Sequence, residues 1–430
     1  MRRIRGSMEL LQTLLVHPPI FDFTAYDFWL RPYGMMRASA QLANACRFTF
    51  FDYLTTEKKD SWSRGRFEEE VVAKPEALRD IPRRFRRFGR PRAVFQELLR
   101  SRTFDAVLVQ TSMTYWYPGV REVIEDIREF QPTAKIVLGG VYATLCAEHA
   151  SALGADLVIQ GANLAPLYQL LALEPAGKRN RVYIQGEDSD VGILKLSDGC
   201  PFHCTYCAAP MMWKGFTPRG LDECVEDFRH LADAGAKDIA FYDDALLYRA
   251  DEVLLPFLDA VSAVIKAGSP ARFHTPNALN ARFMTPELAR QMVKAGFVSF
   301  FLGFESGAKE WQTATGGKIG VGEFEAAVHY LREAGASGIF AYIIAGHPDS
   351  EAQSPENSIR LARGLGVRVM LSEFSPIPGT ADGIKCAPWT DLAEPLSHNK
   401  TAFALRRLGA DRLNRLKELA RRGNTDISRT

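Results

Sequence analysis

Short apolar runs alternate with segments of helical periodicity through the N-terminal part of the chain. The runs predict strands at Leu14–Val16, Phe48–Asp52, Ala106–Val109, Lys135–Leu138 and Asp156–Ile159, with helices over Arg37–Asn44, Val120–Phe130 and Pro166–Leu173. Nearly continuous apolar strands separated by helices are typical of a doubly wound parallel sheet. Residues 8–175 are therefore predicted to form an α/β, Rossmann-like domain, in which ligands bind at the carboxyl ends of the strands.

The same alternation continues over residues 190–380. It predicts strands at Ile193–Leu196, Asp238–Tyr242, Arg272–Thr275, Phe297–Gly303, Gly338–Ala345 and Arg368–Ser375, and the helices between them include Leu221–Ala234, Thr285–Ala295 and Gly322–Glu333. Functional residues are expected at the carboxyl ends of these six strands. Residues 381–430 are predicted to form a helical tail, whose basic amphipathic helix over Thr401–Arg422 is expected to pack as a cap.

Two segments interrupt the alternation. Residues 55–103 form a polar, basic insertion that includes the run Arg83–Arg90. We interpret this insertion as a solvated arm or a domain-bridging segment, in preference to an anion-binding site. The segment Glu174–Asp190 contains Pro175, Gly177 and mixed charges, and we interpret it as the linker between the two domains.

Composition narrows the class of protein. The 430 residues suffice for two domains with full cores, and 47% hydrophobic and 24% charged residues are ordinary for a globular protein. A net charge of +2 gives no indication of nucleic-acid binding. No apolar window is long enough to span a bilayer, and no signal-peptide cleavage site follows the basic start Met1–Met8. We therefore expect a cytoplasmic protein with no membrane partner.

Three cysteines stand together directly after the first predicted strand of the C-terminal half. Cys200, Cys204 and Cys207 have the spacing C-x3-C-x2-C at a junction between a strand and a loop. Such a triplet can bind three irons of a four-iron cluster, one thiolate to each iron, and leave the fourth iron without a protein ligand. An open position of this kind separates catalytic metal sites from closed structural ones.

Zinc and disulfide bonds fit the triplet less well. Zinc sites favour two C-x2-C pairs, but the sequence has no second pair, and His203 is poorly placed as a fourth ligand. Seven cysteines are an odd number for a disulfide framework. The other four, Cys46, Cys146, Cys224 and Cys386, have no paired spacing and are predicted to be buried, inert thiols, with a resolving or donor group as the alternative for Cys386.

The triplet resembles that of the radical S-adenosylmethionine (radical SAM) superfamily. The resemblance implies that the six strand–helix units form a partial (β/α)6 barrel. It also implies that Cys200, Cys204 and Cys207 bind a 4Fe-4S cluster whose open iron holds S-adenosylmethionine. The implied activity is reductive cleavage of S-adenosylmethionine to a 5′-deoxyadenosyl radical, in which the cofactor carries the difficult chemistry and the protein supplies orientation and electrostatics.

Further motifs match the S-adenosylmethionine site of that family in order and position. Tyr206 matches an aromatic position whose backbone lies beside the adenine, and Asp243-Asp244 stand where many members have Gly-Gly-Glu. A carboxylate at Asp243 or Asp244 is expected to accept the methionine ammonium. The remaining implied contacts follow the fourth, fifth and sixth strands: Glu305 and Ser306, Gly346, and Pro378.

The N-terminal half resembles the cobalamin-binding domain that precedes the barrel in one radical SAM subgroup. The implied cobalamin contacts are His17, Pro18, Tyr33, Gly34, Thr111, Ser112, Tyr115, Gly139, Gly140 and Gly161. The Asp-x-His-x-x-Gly motif that supplies a histidine to cobalt is absent, as it is in many members of the subgroup. The alternative is a vestigial domain that binds nothing and only braces the barrel.

The leading hypothesis is a radical SAM enzyme that acts on a small molecule. With cobalamin, the expected outcome is methyl transfer to an unreactive carbon, a cyclisation or a rearrangement, with a flavodoxin or ferredoxin as external electron donor. His274, with Asn277 and Asn280 nearby, is a candidate substrate contact.

Two alternatives to this hypothesis remain. One is a non-catalytic iron–sulfur redox or cofactor-sensing protein. The other is a methylthiotransferase, which would need a second cysteine triplet that Cys46 and Cys146 cannot supply.

Overall fold

A computed structural model describes residues 9–175, 190–266, 271–351 and 353–427 of the chain. The chain divides into two compact units. The N-terminal unit comprises Met1–Asp188 with Glu394–Leu396, and the C-terminal unit comprises Ser189–Ala393 with Ser397–Thr430. The basic start of the chain and most of the predicted linker lie outside the described residues.

Five parallel strands form the sheet of the N-terminal unit, at the places where the sequence predicts them. In spatial order they are Cys46–Asp52, Leu11–His17, Ala106–Thr111, Lys135–Gly140 and Leu157–Ile159. The helices of this unit are Tyr33–Leu42, Arg92–Ser101, Tyr117–Phe130, Val141–Leu145, Ala147–Ser151 and Ala165–Leu170, with a short 3-10 helix at Thr114–Trp116. Leu14, Leu15 and Val16 are all fully buried, because the strand is covered on both faces.

The interpretation of residues 55–103 as a solvated arm is wrong. The segment supplies Glu69–Val71 and Arg86–Phe88 to an antiparallel sheet with Ile20–Asp22, together with the 3-10 helix Glu76–Leu78 and the helix Arg92–Ser101. Arg87, in the middle of the basic run, is only 3% exposed. Its guanidinium forms a two-pronged ion pair with Glu122, with 2.8 Å between Nη2 and Oε1 and 3.0 Å between Nε and Oε2.

Six parallel strands form the sheet of the C-terminal unit, and neighbours in sequence are neighbours in space. They are Val191–Leu194, Asp238–Phe241, Arg272–Leu279, Phe297–Glu305, Ile339–Ala345 and Arg368–Glu373. The helices are Ala209–Met212, Leu221–Asp233, Leu254–Lys266, Pro286–Lys294, Lys309–Ala314, Val321–Glu333 and Ser354–Gly364, with a 3-10 turn at Ala281–Phe283. Ser197–Asp198 also pairs with Thr217–Pro218 in a two-stranded ladder. Strands in sequence order with helical connections confirm the partial barrel.

His274 lies in the core of the C-terminal unit and does not reach a substrate cavity. Its imidazole is completely buried, with Nε2 2.8 Å from Asp238 Oδ1 and Nδ1 2.8 Å from Ser299 Oγ. Asp238 begins its strand, so this network lies towards the amino ends of the strands. Chemistry in barrels of this kind occurs at the opposite, carboxyl ends.

The tail is helical, as predicted, but it contains two long helices where the sequence analysis expects one. Lys400–Leu408 and Ala410–Ile427 are separated by Gly409, whose φ of 76° ends the first helix in a conformation that favours glycine. The helix Ala381–Ile384 and the 3-10 turn Pro395–His398 precede them. Among the described residues, no helix combines the length and apolarity that crossing a membrane requires.

The buried Arg87–Glu122 pair gives a prediction about stability. Replacing Arg87 by Leu leaves the Glu122 carboxylate buried without its partner, so Arg87→Leu should lower the free energy of unfolding by about 3–5 kcal/mol. The double variant Arg87→Leu/Glu122→Leu should recover much of that loss, because no buried charge remains unpaired. Denaturant titration of the two variants tests this, and additive losses would contradict it.

Candidate active site

The three cysteines lie on the loop that follows the first strand of the C-terminal unit. We call residues 199–208 the cysteine loop. It begins at Gly199, whose φ is 76° and where a Cβ would collide with the carbonyl oxygen of Gly215. Inside the loop, Cys207 N donates to Cys204 O at 3.0 Å and Thr205 N donates to Thr315 O at 3.3 Å. These bonds fix a tight turn in which the cysteines are half-buried.

The three thiols interact electrostatically with one another. Burial raises the pKa of Cys200 and Cys204 and raises the pKa of Cys207 to about 11. Negative charge on Cys204 further raises the pKa of Cys200, and negative charge on Cys204 and Cys200 raises that of Cys207. The thiols are therefore neighbours that resist ionisation together until a cation compensates their charge.

The Lys318 ammonium opposes this resistance at all three sulfurs. Its charge lowers the pKa of Cys200, Cys204 and Cys207, although the effect of burial is larger. Lys318 Nζ lies 3.0 Å from Glu305 Oε1, and both side chains are largely buried. Burial acts to lower the pKa of Lys318, but the Glu305 carboxylate outweighs it, so the net pKa of the ammonium is raised.

Gly303 and Glu305 build the place where this ammonium lies. A Cβ at position 303 would lie 2.5 Å from Lys318 Nζ and 2.8 Å from Glu305 Oε1, so glycine leaves room for the ion pair. Glu305 itself has a φ of 61°, an unusual left-handed conformation for a residue other than glycine. Strained residues of this kind occur at functional sites, where the surrounding structure holds them in place.

The two aspartates after the second strand have different surroundings. Asp243 is 3% exposed, and its Oδ1 accepts hydrogen bonds from Leu196 N at 3.0 Å, Ser197 N at 2.7 Å and Ser197 Oγ at 2.7 Å. Burial raises the pKa of Asp243 to about 6. Asp244 is more exposed, and its Oδ2 lies 3.3 Å from Lys195 Nζ. Since the charge of Asp244 also raises the pKa of Cys200, this carboxylate is the one that faces the cysteine loop.

Aromatic side chains support the second half of the cysteine loop. The Tyr206 ring stacks on Trp311 with 5.8 Å between centroids, and its hydroxyl acts to lower the pKa of Cys204. Behind Trp311, His347 is buried and bonded to Asp382. Tyr206 therefore affects the ionisation of one cysteine while its ring stacks on Trp311.

The other positions assigned to S-adenosylmethionine have visible local roles. Ser306 is buried, with its hydroxyl 2.9 Å from Ser354 Oγ. Gly346 has a φ of 87°, a conformation that favours glycine, while a Cβ there would make only an ordinary contact with Ala404 at 3.4 Å. Pro378 is half-buried in the turn after the last strand.

Strand ends of the N-terminal unit border a small, open crevice. Its lining includes His17, Pro18, Ser112 and Trp116. His17 is buried and its Nδ1 lies 3.0 Å from Asp52 Oδ1, so one ring nitrogen is already engaged.

The glycines and the threonine proposed for cobalamin differ in how much open space lies beside them for a ligand. Gly139 has no atom within 4 Å of a built Cβ, whereas a Cβ on Gly140 would collide with the carbonyl oxygen of Thr111. Thr111 is fully buried and its hydroxyl accepts Ala143 N at 3.0 Å. Gly161 has a φ of 66° and donates its N–H to Thr144 Oγ1 at 3.0 Å.

The remaining residues proposed for cobalamin differ in exposure. Tyr115 is 2% exposed, Tyr33 is half-buried under Arg37, and Gly34 is exposed. Close to them in sequence, Met113 is 48% exposed and Val141 is 37% exposed. These two apolar side chains follow the third and fourth strands in sequence, at the carboxyl ends where a cofactor is expected.

The structure adds residues that the sequence analysis missed. Lys318 is the most important of them, and the sequence signal was the glycine pair Gly316-Gly317 directly before it. Asp382 is another, for which no local motif exists. Cys224 and Cys386 are buried, with their sulfurs against the carbonyl oxygens of Lys195 and Asp382. In the described ranges, no three His, Cys, Asp or Glu side chains are grouped to hold one metal ion.

Comparison with known proteins agrees with this geometry. Residues 194–362 match the family model described as the radical SAM superfamily. In fold, the chain is similar to the radical SAM methyltransferase TsrM from Kitasatospora setae, with cobalamin and a 4Fe-4S cluster bound, at 15% identity and a TM-score of 0.64, over 88% of this chain and 78% of that one. It is also similar to the cobalamin-dependent radical enzyme OxsB, at 11% identity and a TM-score of 0.58, over 96% of this chain and 62% of that one.

Among curated proteins, the chain is similar to a tRNA methylthiotransferase. The enzyme, MtaB from Thermotoga maritima, modifies threonylcarbamoyladenosine and is 24% identical over 279 residues, which are 61% of this chain and 64% of the relative. The chain thus spans less than two thirds of this relative. The similarity therefore describes the fold and the radical SAM domain over residues 194–362, while the cofactors and substrates of the relatives belong to those proteins.

The position of Lys318 gives a prediction about the thiols of the metal-free protein. In Lys318→Met the pKa of Cys200, Cys204 and Cys207 should rise, because a cation that favours their thiolates is removed. Their alkylation by iodoacetamide at pH 8 should slow on the order of tenfold for each pKa unit gained, since the thiolate is the reactive form. Mass spectrometry gives the rate at each cysteine.

The control for this experiment is Cys146. Burial alone raises its pKa to about 11, so its alkylation should not change in Lys318→Met. Unchanged rates at all three cysteines of the loop would show that Lys318 does not act on them.

Proposed function

We propose that the chain, whose residues 194–362 match the radical SAM superfamily, is an enzyme that cleaves S-adenosylmethionine reductively and acts on a small molecule with the help of cobalamin. The observation that carries the proposal is the cysteine loop, where three half-buried thiols of one short loop interact electrostatically and where the Lys318 ammonium lowers the pKa of each. Thiolates of this kind suit a cluster with one cysteine on each of three irons.

The residues of the loop fit a 4Fe-4S cluster in two ways. Their raised pKa values mean that the bare loop resists holding three negative charges, and metal binding compensates those charges while releasing protons. Neither Cys224 nor Cys386 is placed as a fourth ligand, because each sulfur is buried against a backbone carbonyl elsewhere. When bound, the cluster supplies the electron that breaks the C5′–S bond of S-adenosylmethionine, giving methionine and a 5′-deoxyadenosyl radical.

The charged groups around the loop suit the amino-acid end of S-adenosylmethionine. Asp244 is the better acceptor for the ammonium, since Asp243 is saturated by hydrogen bonds from Leu196 and Ser197. Lys318 is the candidate for the carboxylate, because it is a cation beside the sulfurs whose other partner is Glu305. A charge-assisted bond at each end would orient the sulfonium towards the cluster.

The adenine end is assigned to the segment around Tyr206. Its backbone lies between two cysteines, and its ring is fixed on Trp311. Glu305, Ser306, Gly346 and Pro378 stay in the proposed site as the ends of the fourth, fifth and sixth strands. Of these, Gly346 has a φ of 87°, a backbone conformation that favours glycine after the fifth strand.

The carboxyl ends of the N-terminal sheet are the proposed cobalamin site. Support comes from the crevice beside His17, Pro18 and Ser112, from the open backbone at Gly139, and from the exposed apolar side chain of Met113. The walls of this proposed site are supported by three residues that are packed against their own neighbours, namely Gly140, Thr111 and Tyr115. Bound cobalamin would supply a methyl carrier, which makes methyl transfer to an unreactive carbon the leading reaction and a cyclisation or rearrangement the other.

Two other functions are weaker. The similarity to MtaB suggests a methylthiotransferase. Such an enzyme would need a second cysteine triplet, but the N-terminal unit contains only Cys46, which is buried, and Cys146, which is half-buried. A non-catalytic cluster protein would not require the Glu305–Lys318 pair to be held by a strained backbone.

The electron that reduces the cluster is proposed to come from an external donor such as a flavodoxin or ferredoxin.

The enzymatic activity has a direct test. After anaerobic reconstitution with iron and sulfide and reduction with dithionite, the protein should convert S-adenosylmethionine to 5′-deoxyadenosine, measured by liquid chromatography. Serine at Cys200, Cys204 or Cys207 should abolish the product, because each cysteine supplies one ligand. Cys146→Ser is the matched control and should keep wild-type activity. A wild-type protein that binds iron but leaves S-adenosylmethionine intact would overturn the proposal.

Cobalamin binding is tested separately by absorption. Wild-type protein incubated with hydroxocobalamin should keep a corrinoid spectrum after desalting. Gly139→Leu should lose it, because the new side chain enters the open space at the strand end without disturbing any neighbour. Gly322→Leu, at another open position in the C-terminal unit, is the control and should bind as wild type. A colourless wild-type protein would favour the vestigial domain.

A further inference from the structure

Asp382 is a buried carboxylate that no step of the proposed function requires. It lies in the short helix Ala381–Ile384, after the last strand of the barrel, and its side chain is completely buried. Its Oδ2 accepts hydrogen bonds from His347 Nε2 at 3.0 Å and from the Thr205 hydroxyl, and its Oδ1 accepts Lys385 Nζ at 2.8 Å. Burial acts to raise the pKa of Asp382, but the bonds from His347, Lys385 and Thr205 outweigh it and hold the pKa below the usual range.

The neighbours of His347 determine which of its nitrogens carries the proton. Trp311 Nε1 lies 3.1 Å from His347 Nδ1, and Asp349 N lies 3.2 Å from the same atom. Both of these groups are donors, so Nδ1 is an acceptor and carries no hydrogen. The proton is therefore on Nε2, where it is donated to Asp382. A directed chain of hydrogen bonds runs from Trp311 through His347 to the carboxylate.

The same carboxylate is bonded to the cysteine loop. The Thr205 hydroxyl donates to it, and Asp382 N donates to the Thr205 carbonyl at 3.1 Å. The next residue, Tyr206, stacks on Trp311 and stands at 89° to His347 with 6.4 Å between centroids. Both residues between Cys204 and Cys207 are thus held by the chain of Trp311, His347 and Asp382.

The geometry points to Asp382 as a positioning residue for the cluster, acting through His347 and Thr205 to fix the segment between Cys204 and Cys207. This inference rests on the proposed function, because it supposes that the loop holds a cluster. The tail segment after the barrel thereby takes part in the site, although it supplies no ligand. The fixed negative charge of Asp382 also makes it harder to add an electron to a cluster bound at the loop.

The test uses reconstituted full-length protein, with iron content, the electron paramagnetic resonance spectrum of the reduced cluster and its midpoint potential as readouts. Asp382→Asn should keep iron close to the wild-type amount, change the spectrum and shift the potential to more positive values, because a negative charge is removed. Thr205→Val keeps the charge but loses the bond to the loop, so it should change the spectrum with a smaller shift in potential.

Asp349→Asn is the matched control. Asp349 is an exposed partner of Lys385, and its side chain is not bonded to the loop, so its removal should leave spectrum and potential as in wild type. Asp382→Asn and Thr205→Val proteins with the wild-type spectrum and potential would overturn the inference, as would equal shifts in Asp382→Asn and Asp349→Asn. If Asp382→Asn does not fold, Thr205→Val decides alone. Wild-type protein that holds no iron would overturn the proposed function itself, and the inference with it.

Discussion

Three half-buried sulfurs face the Lys318 ammonium, and the rest of the site depends on this electrostatic arrangement. Burial raises the pKa of the three thiols, so the metal-free loop disfavours three thiolates. Ionisation of the thiols is therefore expected to accompany metal binding. The ammonium reduces that cost but is itself held by Glu305, whose backbone is strained and whose neighbour Gly303 has no side chain. The proposed site therefore depends jointly on the cysteine loop, the fourth strand of the C-terminal unit and Lys318.

Parallel strands explain why chemistry gathers where it does in each unit. In the C-terminal unit the strand ends carry the cysteine loop, Asp244, Glu305 and Gly346. In the N-terminal unit they carry His17 and Ser112, which line an open crevice, and Gly139. Backbone groups beyond the last rung of a parallel sheet are free to bind ligands, which is why both proposed cofactors are assigned to such edges.

The sequence predicted most of the fold because buried parallel strands need continuous apolar runs, and all eleven expected strands occur within a few residues of their predicted bounds. It failed at the insertion, because the partner of Arg87 is Glu122, which is 35 residues away and cannot be read locally. It also merged the two tail helices, since periodicity did not reveal the left-handed Gly409. Within the proposed site, the cysteines were recognisable by their spacing, whereas Lys318 and Asp382 depend on contacts between distant segments.

The proposed cluster in this loop has one iron open to S-adenosylmethionine. Electron–nuclear double resonance on the reduced protein, with S-adenosylmethionine labelled by 15N at the amino group and 17O at the carboxylate, measures this directly. We expect hyperfine coupling from both labels to the cluster, with a change in the spectrum when S-adenosylmethionine is added. Absence of coupling from either label, with a spectrum that S-adenosylmethionine leaves unchanged, would contradict it.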